Sequence, residues 1–225
     1  LITKILAKNP MHPCHHYRIH LWDYKDPKRA LPSVGLCGQS AEGIAHMWHM
    51  PGHILSRLKR YNDATWMQEA SARVDHAHMM RDQVMPDRIH NFAHNNEWLT
   101  RNLSQAGRVH RALAMAKNMI ELPRLPKVKD DGTWSFPSRS SNSYGRRHLY
   151  GILTGYELWN EVIHLKDTHY LLPGKSTAEK AKYWRLLACA YINTNNAKEG
   201  KALLSQMESL LKSQREDKIK AGKEW

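Results

Sequence analysis

The sequence predicts an all-α protein of about four antiparallel helix pairs, interrupted by one long irregular loop. Three observations predict it. Apolar residues recur with the 3.6-residue helical period, and no stretch alternates cleanly with period two. Proline and glycine breakers fall between the periodic stretches. A turn pattern ending in alanine returns after 34 residues, from Ala30 to Ala64.

The helical period is carried in order by Ile54, Leu55 and Leu58, then by Leu99, Leu103, Leu113, Ala116, Met119 and Ile120. Near the end it is carried by Leu186, Leu187, Leu203, Leu204, Met207 and Leu210. The breakers are Asp26-Pro27, Pro51-Gly52, Met85-Pro86, Pro123, Pro126 and Pro173-Gly174. Between Pro123 and about Tyr144 the composition turns to Ser, Gly, Pro and Lys. Residues 126–144 are therefore expected to lack regular structure and to flank a groove mouth, with Trp134 and Phe136 pinning them down. Arg139, Arg146 and Arg147 would give this loop an anion-binding edge. The chain thus divides into histidine-rich helix pairs over 1–122, the loop over 123–145, and further helices over 146–225.

Composition narrows the function. The 225 residues suffice to bury a core without staples, and 41% are hydrophobic, so the chain is globular. No apolar run is long enough to span a membrane. Cys14, Cys37 and Cys189 are odd in number and far apart, which rules out a disulfide framework and a cysteine-only zinc site. Without a signal pattern after Leu1, the chain reads as processed or as a piece of something longer. The net charge is +13, with 14 basic against 9 acidic residues up to position 110, and 20 against 12 after it. A basic surface this diffuse suits an acidic protein or peptide. It carries no nucleic-acid motif, so a nucleic-acid surface built on scattered Arg and Trp is the weakest option. There is no phosphate-cradling loop, no Gly-x-Ser-x-Gly elbow and no Cys-x-x-Cys-His haem attachment.

Tyr24-Lys-Asp-Pro-Lys-Arg-Ala30 and Leu58-Lys-Arg-Tyr-Asn-Asp-Ala64 are alike, and Ala106-Gly-Arg-Val-His-Arg-Ala112 repeats the turn 48 residues later, after a 14-residue insertion. Trp184, Leu187, Ala188, Tyr191 and Gly200 reproduce a ring, a Leu-small pair, a ring and a small residue. Here the chain resembles tetratricopeptide-repeat (TPR) proteins. The resemblance implies a TPR-like α-solenoid whose first helices line a concave groove. The runs from His12 to His20 and from His46 to His53, with Ile89-His-Asn91, resemble a bacterial subgroup of TPR proteins that carries such histidine motifs.

Histidine is the unusual residue: there are fifteen, eleven of them between His12 and His94. His12 and His46 are 34 apart, as are His15 and His49. Register-equivalent residues of a solenoid lie side by side along one surface. His16/His20, His49/His53 and His90/His94 are i,i+4 pairs, each presented on one helix face. Asp23 and Glu97 each follow such a pair by three residues. The candidate metal ligands are His12, His16, His20, His46, His49, His53, His90 and His94. Imidazole with carboxylate suits zinc, copper, iron or nickel. Asp75, Asn91, Asn95 and Asn96 are the nearby groups that would fix tautomers. Non-covalent haem with two axial histidines, and an activated or metal-bound Cys14, are further options. The rival reading is structural: His, Asn and Trp satisfy one another across a peptide-binding groove. Pro51 threatens the His49/His53 pair if it breaks the helix, and Pro13 threatens His12. His76 and His78 point apart, while His110, His148, His164 and His169 read as surface or loop residues.

Overall fold

The computed structural model describes residues 1–89, 91–135, 138–173 and 176–222. His90 and Phe136 therefore lie outside the described residues, as does any role for them. The chain forms two compact units, Leu1–Leu149 and Tyr150–Trp225.

The helices are α1 (Ile2–Lys8), α2 (His15–Trp22), α3 (Leu31–Gln39), α4 (Ala45–Arg57), α5 (Tyr61–Asp82), α6 (Phe92–Gln105) and α7 (Val109–Glu121). After a small ribbon come α8 (Ser141–Gly155), α9 (Trp159–Leu165), α10 (Thr177–Asn193) and α11 (Ala197–Lys220). Four of the helix-to-helix turns share one geometry. Lys59, Gly107, Glu157 and Asn195 take left-handed φ values of 59°, 73°, 52° and 62°. The next residue's N–H then reaches back to the preceding helix: Arg60 to Leu55, Arg108 to Leu103, Leu158 to Leu153 and Asn196 to Tyr191, at 2.8–2.9 Å. This closure satisfies carbonyls that a helix end leaves unpaired.

The residue four beyond that bonded N–H is the fourth residue of the second helix of each pair. Ala64, Ala112, Val162 and Gly200 hold this position, and each is buried. Small side chains let paired helices approach; a Cβ on Gly200 would meet Ile192 Cγ1 at 2.6 Å. The first pair departs from the rule. Its turn is the 3-10 segment Pro27–Ala30, so buried Ala30 closes a turn rather than opening a helix.

Ile19, Ala30, Val34, Cys37, Met47, Met50, Ile54, Leu55, Ala64 and Met67 form the core around α2 to α5. The 14-residue insertion is visible as the length of α5, which runs on to Asp82, and as a 3-10 turn at Pro86–Arg88. The expectation of no regular structure over 126–144 is corrected. Lys127–Val128 pairs antiparallel with Trp134–Ser135, around a turn in which Gly132 has φ 77°. Helix α8 begins at Ser141, inside the stretch read as loop, because Ser140 Oγ takes the N–H of Ser143 at 3.3 Å and starts it.

Candidate metal centre

Helices α2, α4 and α6 bring His20, His46, His49, His53 and His94 to one cavity of about 470 Å³. Its walls also include Asp23, Arg139 and Tyr144. Pro51 lies inside α4 without ending it. His49 and His53 therefore stay one turn apart on the same buried face.

Two triads emerge. One ring nitrogen from each of His49, His53 and His94 lies within 4.8 Å of the others, and the same holds for His16, His20 and His46. In the first triad, Gln68 Nε2 donates to the His49 carbonyl at 3.1 Å, which turns Gln68 Oε1 toward His49 Nδ1 at 2.7 Å. The His49 proton thus sits on Nδ1, and Nε2 keeps its lone pair. His53 Nε2 faces that atom at 2.8 Å. Two bare lone pairs would repel at this distance, so a proton or a cation lies between them. His53 Nδ1 faces Asp23 Oδ2 at 3.4 Å, and Arg57 Nε donates to Asp23 Oδ1 at 2.5 Å. His94 Nδ1 donates to Glu97 Oε2 at 3.1 Å. Glu97 is also paired with Arg147. His148 Nε2 stands 3.9 Å from Glu97, an ion-pair rather than a hydrogen-bond distance. Trp98 stacks on His53 with ring centroids 4.0 Å apart.

The second triad is more open. His20 is exposed, while His16 and His46 are half-buried. His46 Nδ1 lies 3.3 Å from the Asn91 amide. His46 and His49 stack at 5.7 Å and link the two groups of rings.

Burial favours the neutral form of four of these rings, His16, His46, His49 and His53. Burial, with neighbouring His53 and His94, lowers His49 to about 2. Burial, with His16 and His20, lowers His46 to about 4. Burial also lowers His16 and His53. The carboxylates stay charged. Burial would raise Asp23, but the His53 and Arg57 contacts outweigh it. Burial would likewise raise Glu97, but His148, His94 and Arg147 bring it to about 2. Neutral imidazoles backed by charged carboxylates are the state that binds metal.

Six of the eight sequence candidates come together: His16, His20, His46, His49, His53 and His94. His12 does not, because it sits before α2 and its Nδ1 accepts the Cys14 N–H at 3.1 Å. His15 shares the register of His49, yet both its nitrogens are used, by Ser33 Oγ at 2.9 Å and the Pro10 carbonyl at 2.7 Å. His78 pairs with Asp82 at 2.5 Å and exposed His76 lies apart. Of the four tautomer-fixing candidates only Asn91 touches a cluster histidine. Asn95 donates to Asp75 at 2.5 Å, and Asn96 to the Phe92 carbonyl. Asp23 and Glu97 stand behind histidine rings. His148 is corrected from a scattered surface residue to a helical, half-buried neighbour of Glu97.

Gln68 is the functional residue that sequence reasoning missed. Its signal was Gly52, where a Cβ would overlap the Gln68 amide. The glycine of the His46–His53 run thus makes room for the partner of His49.

No protein family matches the chain, and no curated protein does. Among solved structures, the chain is similar to YrrB, described as a TPR protein with an unusual peptide-binding site. The two share 13% identity with a TM-score of 0.55, over 93% of this chain and 92% of that one. The fold is therefore a TPR-like α-solenoid.

Proposed function

We propose that this TPR-like domain holds a transition-metal ion at His49, His53 and His94. The observation that carries the reading is the set of partners behind the rings. Gln68, Asp23 and Glu97 each present an oxygen to one Nδ1. Gln68 and Glu97 fix the Nδ1–H tautomers of His49 and His94 and leave each Nε2 bare, and Asp23 is placed to do the same for His53 when an ion takes its Nε2. Three nitrogen ligands suit zinc, copper, iron or nickel, at about 2.0–2.2 Å for zinc. Without an ion, His53 Nε2–H donates to His49 Nε2. On binding, that proton leaves Nε2, and Asp23 accepts the His53 Nδ1–H instead. Three protein ligands leave a position open toward the cavity, where a bound ion would supply Lewis-acid or water-activating chemistry.

Thermal melting with added zinc or with chelator tests this. Zinc at about 1,000 times Kd adds about 4 kcal/mol, so the wild-type midpoint rises by several degrees. His53→Ala removes the part of the rise that comes from this site, and His169→Ala, at an exposed residue, retains it in full. Identical midpoints in zinc and chelator would contradict the reading.

A second reading is an interaction scaffold in which the histidines are structural. It is supported by the likeness to YrrB, a peptide-binding-site TPR protein, and by the +13 charge, which favours an acidic peptide. Zinc-insensitive melting together with saturable binding of an acidic peptide would favour it.

A further inference from the structure

We propose that His16, His20 and His46 form a second, weaker transition-metal site in the same groove; this rests on the reading of His49, His53 and His94 as the first. The second triad is assembled from two elements. His16 and His20 stand one turn apart on α2, with ring centroids 4.4 Å apart, and His46 comes from the first turn of α4, 5.0 Å from His16. One nitrogen from each lies within 4.8 Å of the others. His16 Nδ1 is buried and makes no hydrogen bond to the protein. A polar atom in that position ordinarily has a partner. The contrast with adjacent His15 is direct, since Ser33 and Pro10 use both of that ring's nitrogens.

The ligand class follows from the donors. Three imidazoles and no oxygen select a borderline ion such as zinc, copper, nickel or cobalt, and disfavour magnesium and calcium. The ranking of the two sites follows from what stands behind the rings. No carboxylate bonds to His16, His20 or His46 among the described residues, and only the Asn91 amide reaches His46. If that amide is turned over, its Oδ1 accepts Nδ1–H and leaves His46 Nε2 bare. Loss of such outer partners elsewhere costs about 10–100-fold in affinity. The stacking of His46 on His49 places two cations close together, which weakens the second further.

The test is a titration of the full metal-free chain with Co(II), followed by visible absorption and calorimetry. The expected result is two equivalents per chain, the second binding about 10–100-fold more weakly than the first. His20→Ala alters an exposed residue and is expected to fold, as circular dichroism checks. It should remove only the weak step. His94→Ala, at a half-exposed ring, should remove only the tight step. One equivalent in wild type, unchanged in His20→Ala, would overturn the second site while leaving the first standing. Loss of both steps in His20→Ala would overturn it too, by showing a single shared site. No binding by wild type would overturn both readings together.

Discussion

His49 and His53 face each other through their Nε2 atoms at 2.8 Å, one turn apart on a helix that continues through Pro51. That contact is held from outside. Gln68 grips His49 by its Nδ1 and its own carbonyl, and Asp23 stands behind His53.

Gln68→Ala should therefore weaken zinc binding by about 10–100-fold while leaving all three ligands in place. Competition titration against a chromophoric chelator measures it. A fall in melting temperature with unchanged zinc affinity would assign Gln68 a purely structural role.

Gly52→Ala should destabilise the chain by about 1–3 kcal/mol, despite alanine's better helix propensity, because its Cβ overlaps the Gln68 amide. Urea unfolding decides this. A gain in stability, as at an ordinary helical glycine, would contradict the packing.

The metal-free chain should lose stability as pH falls below about 6.5. Folded His49 and His46 resist protonation down to about 2 and about 4, whereas unfolded histidines take protons near 6.5. Between those values the unfolded state binds more protons, so acid favours it. Urea midpoints in chelator at pH 8, 7, 6 and 5 should be level at first and then decline. A flat profile down to pH 5 would mean that the rings are solvated.

The repeated turn gives a prediction free of the histidines. Lys59→Gly should stabilise by about 1 kcal/mol, because a left-handed residue with a side chain is strained by about 1–2 kcal/mol. Gly107→Ala should lose a similar amount. Destabilisation by Lys59→Gly, or stabilisation by Gly107→Ala, in urea unfolding would contradict the shared turn geometry.

Much of this was legible in the sequence, for physical reasons. Ala64 and Ala112 mark the same structural position because close helix pairs demand a small residue there. His49, His53 and His94 were readable because i,i+4 spacing fixes a face whatever surrounds it, and His46 because it lies 34 residues after His12. What escaped depends on contacts between elements. His15 has the right register, but Ser33 and Pro10 claim its nitrogens, and no spacing rule reveals that. Gln68 lies on the helix after the histidines, and only the space left by Gly52 brings it to His49. The α8–α9 pair was hidden because Val162 stands where the other pairs carry Ala or Gly, and α8 starts in a serine-rich stretch.

The most direct measurement is the metal content of the full chain after zinc equilibration and desalting. Wild type and His169→Ala should each retain about one tightly held zinc per chain, and His94→Ala should retain none at the tight site. A metal-free wild-type protein, or equal zinc in all three, would contradict the metal centre.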